Sequence, residues 1–139
     1  QRSVTALEPA LAAAGVVPQD ESYAKALADG EQFFKRGKYR EAIKEFKRAV
    51  QLYPEAVPTL LALGDAYLEA NEPRNALGPL EKAAHLDARS GRAQLLLGTA
   101  YQSLGRNPEA VKAYQQYLEL EPSGDFTGDV RTILSNLSR

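Results

Sequence analysis

The sequence predicts an all-α solenoid: three helix-turn-helix units stacked in a row and closed by one further helix. Three observations predict it. Leu61-Ala-Leu-Gly-Asp-Ala-Tyr67 returns thirty-four residues later as Leu95-Leu-Leu-Gly-Thr-Ala-Tyr101, and Leu27-Ala-Asp-Gly-Glu-Gln-Phe33 lies thirty-four residues before it. The same spacing links Ala42, Ala76 and Ala110, and again Phe46, Leu80 and Tyr114. Finally, Val130, Ile133, Leu134 and Leu137 fall at i, i+3, i+4 and i+7, the apolar stripe of an amphipathic helix. A fixed period of this length marks units that cannot bury an apolar face alone and do so by stacking.

Taken in order, residues 1–19 stand outside the repeat. Val4, Leu7 and Leu11 have helical spacing in an Ala-rich setting, and Gly15 and Pro18 break it. The segment reads as a linker or as an N-terminal cap on the first unit. The absence of Met and the start at Gln1 read as an excised domain or a processed chain. The repeat domain occupies 20–139, with units 23–56, 57–90 and 91–124 and a capping helix at about 127–138.

The first helix of unit one starts at Asp20 or Ser22, either a good N-cap, and ends before Gly37. Its second helix runs from Tyr39 to Leu52, before Pro54. Unit two opens near Glu55–Pro58, since Pro belongs only in a first turn. Asn71 closes that helix, and the next starts at Pro73. Gly78-Pro79 inside it predicts a kink or loosened turn, because Pro79 cannot donate to the Asn75 carbonyl. Unit three opens after Ser90 and its first helix stops at Gly105. Asn107 is the expected cap of its second helix, with Pro108 in the first helical position.

Gly30, Gly64 and Gly98 sit inside helices, where Gly costs roughly 1 kcal/mol against Ala. They predict close approach between the two helices of each unit, with Ala42, Ala76 and Ala110 as the small face opposite. Phe33, Tyr67 and Tyr101 share the glycine face.

Leu63, Gly64, Tyr67, Ala76, Leu80 and Ala83, and again Leu97, Gly98, Tyr101, Ala110, Tyr114 and Pro122, resemble the tetratricopeptide repeat pattern. Unit one matches at Gly30, Phe33, Ala42, Phe46, Ala49 and Pro54. Asp29, Ala88 and Tyr117 depart from the pattern, as do Ala26, Leu60 and Gln94 at its leading aromatic position, without disturbing the phase. The resemblance implies a right-handed α-solenoid whose first helices line a concave groove for a peptide or helix of another protein. The groove stripe then reads Leu27, Glu31, Phe34; Leu61, Asp65, Leu68; Leu95, Thr99, Gln102, with Glu69 beside it. The family's carboxylate clamp for chaperone tails uses Lys with Asn or Arg at the first and second stripe positions. Here those positions hold Leu27, Glu31, Leu61, Asp65, Leu95 and Thr99. The expected ligand is therefore an apolar-anchored segment carrying Lys or Arg, since acidic Glu31, Asp65 and Glu69 would repel an acidic tail. The alternative for the stripe is burial between neighbouring repeats.

Residues 35–48 form a second candidate. They hold seven cations against Glu41 and Glu45, in a chain of net charge −1. Arg40, Lys44 and Lys47 share one helix face, either a solvated surface or a dock for an anionic partner. Structural self-association through the array ends or the outer face is the remaining alternative, and the chain is expected to be a monomer or a weak homodimer. The near-zero net charge and the lack of interleaved aromatics speak against nucleic acid. No apolar run reaches eighteen residues. The lack of Cys removes thiolate and zinc-thiolate chemistry. His85 is the sole His and falls on an outer helix position. No nucleophile motif, metal-spaced cluster or phosphate loop is present, so neither enzyme activity nor a cofactor is expected. Ala and Arg richness points to a bacterial source and leaves cytoplasm and periplasm open.

Overall fold

The computed structural model describes residues 21–139, and residues 1–19 of the sequence reading lie outside the described residues. Seven helices follow in the described chain: α1 (Glu21–Lys35), α2 (Tyr39–Leu52), α3 (Val57–Glu69), α4 (Pro73–Leu86), α5 (Gly91–Ser103), α6 (Asn107–Leu120) and α7 (Thr127–Leu137). Each packs on the next, and the closest pairs are α1 with α2, α3 with α4 and α5 with α6. These are the three units. α3 also reaches α5, so the first helices of successive units form a continuous layer.

The turn inside each unit is set by one residue of positive φ: Gly37 at 75°, Asn71 at 62° and Gly105 at 73°. Each closes a paired hydrogen-bond motif. In unit two the Glu72 N–H donates to the Tyr67 carbonyl at 2.8 Å and the Asn71 N–H to the Leu68 carbonyl at 3.0 Å. This ends the helix with its last carbonyls satisfied. Helix α5 starts after Ser90, which caps it, its Oγ accepting from the Ala93 N–H at 3.1 Å.

Two details differ from the sequence reading. Asn107 is the first residue of α6 and Arg106 takes the cap position, with its guanidinium turned to Glu109 at 2.9 Å instead of to the backbone. Helix α4 runs unbroken through Pro79. The carbonyl that Pro79 leaves without its helical donor belongs to exposed Asn75, where water can take it.

The close approach predicted from the helical glycines is present, with a different partner. A Cβ at Gly64 would overlap Cγ and Cδ2 of Leu80, and one at Gly98 would lie 2.5 Å from Cε1 of Tyr114. The glycines are therefore seats for the large residues of the facing helix, not for Ala76 or Ala110. Phe46, Leu80 and Tyr114 are buried in these seats. Each contributes on the order of 2 kcal/mol of apolar burial. Between units one and two the Tyr23 and Thr59 hydroxyls meet at 2.9 Å in the core, a buried polar contact that fixes the stacking register. At the far end Val130 of α7 is fully buried against Ala110, Tyr114 and Tyr117.

Candidate partner-binding groove

The first helices of the three units leave an open groove of ≈ 470 Å³. That size suits a peptide segment or one helix face. Its floor is apolar: Phe34 from α1, and Val57, Pro58, Leu61 and Ala62 from α3. Its polar rim is Glu31 and Lys35 from α1, Asp65 from α3, Arg92 from α5, and Asp87 and Ser90 from the α4–α5 connection. These positions follow from helix periodicity. Pro58, Leu61, Ala62 and Asp65 lie three or four residues apart on one face of α3, and Glu31, Phe34 and Lys35 do the same on α1.

Of the ten stripe residues read from the sequence, Glu31, Phe34, Leu61 and Asp65 come together here. Leu27 is 1% exposed and belongs to the core cluster of unit one, with Tyr23, Phe46 and Leu63. Leu61 is 9% exposed, so it supports the floor while its body sits in the core. Leu68 is half-buried against the core of units two and three, and Leu95 against the cluster of α6 and α7. Glu69, Thr99 and Gln102 are exposed outside the groove lining. Gln102 Oε1 accepts from the Tyr114 hydroxyl at 2.7 Å, and the Thr99 hydroxyl donates to the Leu95 carbonyl at 3.0 Å. The stripe logic missed Lys35, Pro58 and Arg92. Pro58 and Arg92 hold the same phase of successive units, which is the signal that finds them.

Asp65 is the distinctive charge. Arg92 Nη2 donates to its Oδ2 at 2.7 Å, across from α5 to α3. Burial among apolar groups still pushes the Asp65 carboxyl above its ordinary value of 3.8, outweighing the lowering by Arg92. Asp87 accepts from the Arg89 N–H at 3.1 Å. Tyr101, on the face toward α4, donates to Glu81 at 2.6 Å. Burial and that carboxylate push its hydroxyl up to about 12.

A carboxyl raised on folding binds more protons in the native state than in the unfolded one. Its contribution to stability is present below the unfolded value and is lost as pH rises through the native one. Asp65→Asn is therefore expected to be at least as stable as the parent at pH 7, with its relative advantage shrinking toward pH 3. Urea melts across that range test this. A loss of stability at pH 7 would show that the Arg92 pair outweighs desolvation.

On the opposite side, Arg40, Lys44 and Lys47 are exposed along α2. Arg40 reaches Glu72 at the start of α4, at 3.2 Å. His85 is exposed. Among the described residues no group of three His, Asp or Glu side chains could hold a metal ion, and no helix is long and apolar enough to cross a membrane.

Two family models match the chain: a TPR repeat model over residues 30–71 and a tetratricopeptide repeat model over residues 61–125. The chain belongs to the tetratricopeptide repeat family. A relative among TPR proteins is the small glutamine-rich tetratricopeptide repeat-containing protein 2 of Mycosarcoma maydis, 33% identical over 111 residues, covering 78% of this chain and 32% of that protein. Mouse sperm-associated antigen 1 is 27% identical over 86% of this chain and 13% of its own. The chain thus spans about a third or less of these relatives. Among TPR structures, the first TPR of Spaghetti (RPAP3) bound to the HSP90 peptide SRMEEVD superposes with a TM-score of 0.77 at 25% identity, covering 85% of this chain and 91% of that one. The second TPR domain of human RPAP3 in complex with the HSP70 peptide SGPTIEEVD gives 0.77 at 27% identity, covering 86% and 97%.

Proposed function

We propose that this TPR domain is a non-enzymatic recognition module that holds a peptide or helix of a partner protein in the α1–α3–α5 groove. The observation that carries the reading is the apolar floor of Phe34, Pro58, Leu61 and Ala62, open to solvent within a ≈ 470 Å³ groove and rimmed by charge. An accessible apolar hollow of this kind costs stability in a free protein and serves association. Structural neighbours that hold peptides support it.

The ligand reading differs from those neighbours. Their peptides, SRMEEVD and SGPTIEEVD, end in acidic residues. Here Glu31, Asp65 and Asp87 rim the groove, and an acidic tail would meet like charge. A segment with a large apolar residue and a neighbouring Lys or Arg fits better.

Panning a displayed library of random peptides, then titrating selected peptides, tests this. Phe34→Glu and Pro58→Glu, each checked by circular dichroism, are expected to weaken binding by roughly thirty-fold or more, about 2 kcal/mol at a central anchor. Lys44→Glu with Lys47→Glu on α2 is expected to leave it unchanged. The reverse pattern, with steep loss in salt, would move function to the basic face. Mass against protein concentration tests self-association.

A further inference from the structure

Arg92 reaches the half-buried carboxylate of Asp65 across the groove, and four observations bear on why. Its side chain is 53% exposed whereas that of Asp65 is 19% exposed, at 2.7 Å, so the acid is fixed in the groove wall and the base reaches in from solvent. Arg92 is the second residue of α5, in the first turn, where the helix dipole disfavours a cation. The helix already has its cap from Ser90, so Arg92 adds nothing to starting it. Among the described residues its side chain hydrogen-bonds to Asp65. Asp65 stands in the opposite position. It lies on the α3 face that carries Leu61 and Ala62, and its carboxylate needs a cation once a ligand excludes water from the groove.

We propose that Arg92 is an internal stand-in for a basic side chain of the partner: in the free protein it occupies the place on Asp65 that a partner Lys or Arg takes when bound. This rests on the groove reading above. Binding then exchanges one ion pair for another. The released guanidinium returns to water at little cost because it is already half in it, and its first-turn position gives no reason to hold it back. The partner's cation gains a partly desolvated carboxylate, which is worth more than one on the open surface. Arg92 thereby sets a threshold: a partner must bring both an apolar anchor and a cation spaced to reach Asp65, and a merely apolar segment leaves the internal pair intact.

The test pans one displayed library of random twelve-residue peptides on the parent, on Arg92→Ala and on Asp65→Asn. One selected peptide is then synthesised in two forms, with Lys or with Gln beside its apolar anchor. Titration calorimetry is expected to show the Lys form binding Arg92→Ala about ten-fold tighter than the parent, with the Gln form unchanged. Asp65→Asn is expected to bind both forms alike and to select peptides without Lys or Arg enrichment. Equal or weaker binding of the Lys form by Arg92→Ala would overturn the proposal, since Arg92 would then be a bystander or a direct contact. Arg92→Lys is expected to restore part of the competition, which separates a charge effect from a repacked α5. If folded parent and Arg92→Ala both select no peptide that Phe34→Glu weakens, the groove reading itself fails, and this proposal with it.

Discussion

Leu80→Ala is expected to lower the free energy of unfolding by about 3–4 kcal/mol, toward the upper half of the range for a buried Leu. Leu80 is fully buried, and it fills the seat made by Gly64 on the facing helix. Two features keep the site from collapsing. The seat is backbone, with no side chain at Gly64 to swing into the space. Leu80 also shares its cluster with Leu60, Ala83 and Leu97 of units two and three, so the interface of the central unit with unit three is anchored near it. In a stacked array stability is a sum of units and nearest-neighbour contacts, and the middle unit carries two such contacts. Chemical denaturation followed by circular dichroism measures the effect. A loss below about 1 kcal/mol would mean that α3 and α4 close the gap.

The same seat gives a sharper result in combination. Gly64→Ala alone adds a Cβ into Leu80 and is expected to be net destabilising. Overpacking costs typically 1–3 kcal/mol, against roughly 1 kcal/mol returned by helix propensity. On the Leu80→Ala background the overlap is gone, and Gly64→Ala is expected to stabilise. The two substitutions are in contact and should be strongly non-additive. If Gly64→Ala stabilised the parent as well, close approach would not be the reason for the glycine.

That pair also shows how much could be read from residues alone. The period placed the six helices of the three units because each signal occurs three times: a helical glycine, a left-handed stop and a large apolar residue at one phase; the seventh helix was placed by its own apolar stripe. The glycine seats were foreseen as close approaches. Their occupants were not, because a helical wheel gives the face of a residue but not its depth along the facing helix. The groove was legible to the same extent. Glu31, Phe34 and Asp65 share a stripe with Leu27 and Leu95, yet those two lie in core clusters. Leu27 belongs to a cluster that includes Leu63 of the next unit, and Leu95 to one built by α6 and α7. The angle between a groove face and an inter-unit face on one helix is small, so periodicity cannot separate them. Asp87 and Ser90 come from a connection, where helical phase says nothing. Arg92 shows its meaning only once α3 and α5 are side by side.

Val130→Asp and deletion of residues 126–139 are expected to give nearly the same stability. Val130 is fully buried, with Ile133, Leu134 and Leu137 half-buried beside it over Tyr114 and Tyr117. A carboxylate at that place, with no cation beside it, would cost several kcal/mol if α7 stayed docked. The helix has a cheaper route. Among the described helices it packs mainly on α6, and it follows a short connection across which the Thr127 hydroxyl donates to the Glu121 carbonyl at 2.7 Å. Detaching α7 forfeits its apolar contacts and the Thr127–Glu121 hydrogen bond, which caps the penalty. The fully buried Val contributes about 1.5–3 kcal/mol and its half-buried neighbours correspondingly less. Both variants should therefore lose a few kcal/mol, less than the sum of charge burial and lost packing. Both should also expose the apolar flank of α6 around Tyr117 and Leu118, and so associate more strongly with rising concentration than the parent. Denaturation and sedimentation on the two variants check the two halves. A Val130→Asp protein much less stable than the deletion would show that α7 cannot leave, and that it is an integral part of unit three instead of a detachable cap.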